Sequence, residues 1–132
     1  MNMTNSEQEN SIQHQGNRKT YEVDKWIREY ETGIRVPKSK RAKNNLDKAY
    51  ENAKQYIEND KKIDYYKKQK KYQEEQKKKY KGSEIQKYHQ NNIDKLNDQI
   101  KDTKKEKQKN YKQWKKYDQA YQKEQQKANK KR

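Results

Sequence analysis

"YYKKQKKYQEEQKKKYKGSEIQKY", residues Tyr65 to Tyr88, decides the fold, because it is either a disordered polybasic tail or two helices meeting at a turn. The stretch holds five tyrosines and one glycine, and it has no proline. Within it, "YKGSEIQ" reads as a helix, a glycine stop at Gly82, a serine start at Ser83 and a second helix. Ser83 and Gln86 have capping-box spacing, and Ile85 opens a new apolar register. This order of signals predicts an αα-hairpin with its turn near 82–83.

On the upstream side, Ser39 is a suitable N-cap, and Ala42, Leu46, Ala49, Ala53, Tyr56 and Ile63 follow at steps of three, four or seven. Downstream, Ile93, Ile100, Lys107, Trp114, Tyr121 and Ala128 recur every seven residues, with Leu96, Thr103, Asn110 and Tyr117 between them. The spacing predicts helices near 39–81 and 84–129, with arms on the order of 60 Å. Folding about Gly82 sets Tyr50 opposite Trp114 and Ala53 opposite Tyr111, so bulky rings meet a small or flat face. One continuous helix pairing in trans uses the same residues, which keeps a homo-oligomer through the heptad seam as the alternative.

Nearer the N-terminus, "TYEVDKWIREYETGI" places Val23, Trp26, Ile27 and Tyr30 at helical spacing, with Gly33 at a C′ position and Pro37 beyond it. A short amphipathic helix near 20–32 is expected, with Trp26 as a packing anchor. Residues 1–17 carry no Lys or Arg and read as a disordered polar leader. The expected organisation is a leader at 1–17, a helix and turn at 18–37, and a basic hairpin at 38–132. The fold class is all-α, elongated and coiled-coil-like.

Only 25% of the 132 residues are hydrophobic, and phenylalanine and cysteine are both absent. Twelve tyrosines and two tryptophans must therefore supply much of the apolar burial. Without cysteine there is no disulfide and no thiolate metal site. No stretch approaches the ~20 apolar residues of a membrane span, and the first residues lack the pattern of a secretion signal. The helices also lack the broad Leu and Phe face of an interfacial membrane helix. The expected location is intracellular, in a cytoplasm or nucleus, and not secreted.

The net charge is +16, and it is blocky. Residues 61–82 set ten lysines against three acids for +7, and residues 104–132 set twelve cations against three acids for +9. In the hairpin, Glu84, Asp94, Asp98 and Asp102 lie across from the first block and are expected to neutralise part of it. The C-terminal block lacks such compensation. A polyanion is the expected partner, held by Lys104, Lys105, Lys109, Lys112, Lys115, Lys116, Lys123, Lys127, Lys130, Lys131 and Arg132. Lys67, Lys68, Lys70, Lys71, Lys77, Lys78 and Lys79 form a secondary basic patch. Tyr111 and Tyr117 are candidates for stacking on unpaired bases, whereas Trp114 and Tyr121 fall on the seam and are expected in the core. Lysine acts as a point charge, so recognition should be weakly sequence-selective.

Catalytic signals are missing. There is no phosphate-cradling glycine loop, no GxSxG and no cysteine nucleophile. His14 lies in the leader, and His89 reads as a surface or seam residue. Asp94 and Asp98 sit four apart among lysines, where ion pairs are expected rather than a metal site. No enzyme activity, metal or cofactor is expected.

"VDKWIREYETGIRVPKSKRAKNNLDKAYENAK", residues 23–54, carries a short helix, a glycine turn and Gly33, Ile34, Val36, Ser39 and Lys40 ahead of a second helix. It resembles the segment that precedes the ATPase domain in phage large terminase subunits. The ATPase and nuclease motifs of that family are absent, so the resemblance implies a phage or mobile-element setting and neither activity. The expected function is a non-catalytic accessory or assembly protein that binds DNA or RNA. The alternative is a coiled-coil adaptor that docks on an acidic protein, including an inhibitor of a nucleic-acid enzyme.

Overall fold

The computed structural model of the chain describes residues 18–82 and 84–130. The leader at 1–17, the Ser83 cap, Lys131 and Arg132 lie outside the described residues. Those described form three helices: α1 (Arg18–Glu31), α2 (Lys40–Lys79) and α3 (Glu84–Lys130). The fold is all-α, and α2 and α3 make a helical hairpin.

Local chemistry fixes the element ends. At the end of α1, Gly33 adopts φ 77°, its N–H donates to the Tyr30 carbonyl at 3.1 Å, and the Ile34 N–H reaches the Glu29 carbonyl at 3.1 Å. These two bonds are a Schellman motif, which satisfies carbonyls the helix would otherwise leave open. Ser39 caps α2 as its position predicts, its Oγ accepting from the Ala42 N–H at 3.0 Å. Gly82, at φ 74°, ends the second helix, and its N–H donates to Gln86 Oε1 at 3.0 Å.

The chain divides into two compact units. Among the described residues, one joins 18–57 to 110–130, and the other comprises 58–109. This differs from a helix followed by a separate hairpin, because α1 shares a unit with the open end of the hairpin. The reason is apolar demand: Val23, Trp26 and Ile27 of α1 are buried with Ala42, Leu46, Ala49, Ala53 and Tyr56 of α2 and with Trp114 and Tyr121 of α3. Small residues on α2 leave room for the indoles and phenols of the other two helices, as the seam requires. Tyr50, opposite Trp114 in a two-helix register, finds its stacking partner on α1. It stacks on Tyr30 at 4.0 Å, while Trp26 sets an edge-to-face contact with Trp114 at 6.1 Å. A third helix, which a hairpin register leaves out, supplies that partner. Tyr111 meets Tyr56 at 5.8 Å, about one turn from Ala53.

In the second unit side-chain bonds mark the antiparallel pairing of α2 and α3. Lys107 pairs with Asp60, His89 and Asn92 meet Gln73, and Lys77 donates to Gln90. As one number rises the other falls. Ile63, Ile93 and Ile100 are its buried apolar side chains, joined by the polar Asn59. The heptad reading holds throughout α3: every seam position from Ile93 to Ala128 is buried or half-buried. The seam is filled by the chain's own helices.

Candidate nucleic-acid interface

The face of α3 opposite its seam is built of lysine. In the first unit, Lys112, Lys116, Lys123, Lys127 and Lys130 recur at steps of three, four or seven, which sets them on one stripe about half a turn from Trp114 and Tyr121. Lys105 and Lys109 show the same four-residue step in the other unit. All seven are exposed, as are Lys104 and Lys115. With the described residues, Lys104, Lys105, Lys109, Lys112, Lys116, Lys123 and Lys130 form no ion pair, whereas Lys127 lies 3.3 Å from Glu124. Successive lysines on the stripe stand one or two turns apart along the axis, ~5.4 Å for each turn. Such a row offers a line of point charges without a geometric code.

Other cations are spent on the fold. Arg35 lies 3.1 Å from Glu29 and 3.9 Å from Asp118, with its guanidinium 4.9 Å above the Trp26 ring. Lys107, half-buried on the seam, is held by Asp60. Lys115 sits 5.0 Å above the Tyr111 ring. Its hydrogen bond to the Tyr111 hydroxyl, then the nearby Tyr111 and Glu22 charges, push its ammonium pKa up.

Neither ring expected to stack on bases is free to do so. Tyr111 is half-buried against Tyr56 and Trp114, donates its hydroxyl to Glu22 at 2.9 Å, and carries Lys19 at 4.8 Å from its ring centroid. Tyr117 packs on the core cluster with Lys48 and Lys116 at 5.5 and 5.7 Å. Tyr117 is itself a seam position and Tyr111 flanks it, and closing the three-helix core takes precedence. Burial and, behind it, the Glu22 contact push the Tyr111 phenol up, with the Lys115 hydrogen bond opposing.

The secondary patch keeps most of its charge free. Lys67, Lys68, Lys71, Lys78 and Lys79 are exposed, while the half-buried Lys70 and Lys77 are engaged by Glu74 at 3.8 Å and by Gln90. The expected neutralisation across the hairpin does not take the form of direct pairs. Glu84, Asp94, Asp98 and Asp102 are all exposed, and among the described residues no ion pair links them to the lysine block. Asp94 instead accepts from Gln90 at 2.9 Å. These acids fall between the seam positions, so they turn to solvent.

Sequence reasoning missed the rings beside this patch. Tyr65 and Tyr72 are 59% and 54% exposed, and Tyr88 is 62% exposed. Their signal was their phase, since Tyr65 falls two residues after the buried Ile63 and so off the packing face. His89 lies on the seam, its Nδ1 2.6 Å from Gln73 and its ring beside Tyr80 and Tyr88. Among the described residues no group of three or more His, Cys, Asp or Glu could hold a metal ion, and no helix is long and apolar enough to cross a membrane. Compared with protein-family models, with curated proteins and with solved structures, the chain matches none.

Proposed function

We propose that the chain is a non-catalytic, weakly sequence-selective nucleic-acid-binding protein, acting as an accessory or assembly factor. The observation that carries this reading is the lysine stripe of α3, exposed and, Lys127 apart, without ion pairs, set opposite a fully used packing seam. A row of unpaired ammonium groups gains most from a partner that releases counterions when it is neutralised, and a polyphosphate does so. The likeness of residues 23–54 to the segment ahead of the phage terminase ATPase domain suits an accessory role in a phage or mobile element.

The test is a salt titration of binding to duplexes of unrelated sequence. Changing Lys112, Lys116 and Lys123 to Gln should weaken binding and lower the log–log salt slope by about 2.7, at ~0.9 for each lost phosphate contact. The same change at Lys48, Lys54 and Lys43 should do less, because these lysines stand outside the stripe. Absence of any shift with DNA or RNA at moderate salt would sink the reading and leave the adaptor for an acidic protein in its place.

A further inference from the structure

The two basic surfaces differ in what accompanies the lysines. On α3 in the first unit the rings are buried or covered: Trp114 and Tyr121 are in the core, and Tyr111 and Tyr117 pack beside it. On α2 in the second unit, Tyr65 and Tyr72 stand in solvent. They are seven residues apart, which is two turns, so both rings leave the same side of the helix about 10.5 Å apart. Lys61, Lys68 and Lys79 fall on that side by the same periodicity, with Lys68 between the rings, and all three are exposed. The opposite side faces α3, since Ile63 is buried there and Gln73 and Lys77 bond to α3 residues. Glu75 lies at the edge of the outer face, and it does not pair with these lysines. Tyr72 has no partner among the described residues, and Tyr65 has only an edge contact with Tyr66 at 5.9 Å.

We propose that this outer face of α2, with Tyr65 and Tyr72 as stacking platforms and Lys61, Lys68 and Lys79 as phosphate contacts, is a binding site for single-stranded nucleic acid. The inference rests on the nucleic-acid reading above and assigns a strand state to one surface. Phosphate is common to duplex and single strand, and lysine alone does not distinguish them. An exposed phenol ring does, because a base in a duplex hides its faces in the stack while an unpaired base offers them. A stacked strand advances 3.4 Å per nucleotide, so the ring spacing spans about three nucleotides, with the intervening phosphates near Lys68. The acids that would have masked the block are turned to solvent and form no ion pair with it, which leaves its charge available to the strand.

The experiment measures the full chain, its Tyr65→Ala/Tyr72→Ala variant and its Tyr65→Phe/Tyr72→Phe variant against oligothymidylate, oligouridylate and a mixed duplex of equal length. Both substitutions are at exposed helical positions, and circular dichroism checks that helicity is kept. The alanine variant should lose at least about five-fold in single-strand affinity for each ring, with duplex affinity unchanged and the phenylalanine variant close to the parent. The two oligonucleotides separate DNA from RNA as the source of the strand. If the alanine variant binds single strand as the parent does, or loses duplex and single strand equally, the stacking site is wrong while the lysine reading stands. Parent protein that binds none of the three overturns both.

Discussion

Two indoles meet edge to face in the first unit, yet they stand in different polar circumstances. Trp26 Nε1 donates to Asp118 Oδ1 at 2.9 Å, whereas Trp114 Nε1 is buried with no protein partner. Asp118, which also accepts from Gln122 at 3.0 Å within α3, joins α1 to α3 through its bond with Trp26. Trp26→Phe should therefore be the costlier change, by about 1–2 kcal/mol beyond Trp114→Phe, because it removes a donor from a largely enclosed carboxylate. Urea unfolding of the pair measures the difference. The phenols carry a second expectation. Burial pushes Tyr30, Tyr111 and Tyr121 up, and the Glu31 hydrogen bond pushes Tyr50 up, all from an ordinary value of about 10. A raised folded-state value means that the unfolded chain loses its proton first. The contribution to stability is then whole below about pH 10 and is lost as pH rises through the folded values. Ultraviolet titration of tyrosinate should lag in the native chain behind the chain in denaturant, with stability falling over the same alkaline range.

At the scale of the elements, the turn between α1 and α2 is fixed by backbone geometry at one end and by a side-chain cap at the other. Gly33 has no atom within 4 Å of the place a Cβ would occupy, so Gly33→Ala meets strain only from its φ of 77°. That cost is about 1 kcal/mol. Ser39→Ala removes the bond to the Ala42 N–H and should also cost about 1 kcal/mol. Both variants should unfold at lower urea with an unchanged slope, and their effects should add, since they act at separate helix ends. The side chains that close this turn on α3 are Gln125, whose Nε2 donates to the Val36 carbonyl at 2.8 Å, and Asn129, which accepts from Lys38.

At the scale of the molecule, the two units differ in what they bury. The first holds two tryptophans, two buried tyrosines and aliphatic residues of α1 and α2. The second has Ile63, Ile93 and Ile100, with a polar Asn59 among them. Apolar burial is the main source of local stability, so backbone amides of residues 58–109 should exchange faster than those of α1 and the helix segments packed on it. Hydrogen exchange followed by mass spectrometry reads this directly. Equal protection in both units would mean that the long helices open only as whole elements.

The three helices, the Ser39 cap, the glycine stops and the buried face of each helix were legible along the chain. Ser39, Gly33, Gly82 and the heptad from Ile93 to Ala128 are local signals, and backbone hydrogen bonding within a helix answers to neighbours a few residues away. Trp26 and Trp114 were legible as core for the same reason, being in phase with other apolar residues. How the faces were shared out among the helices followed from packing in three dimensions. Whether α1 would lie on the open end of the hairpin depended on room left by Ala42, Ala49 and Ala53 across three helices, and no spacing along one helix states it. That choice took Tyr50 for Tyr30 and removed Tyr111 and Tyr117 from the list of free rings. In the second unit Tyr65, Tyr72 and Tyr80 are the exposed tyrosines of the lysine block.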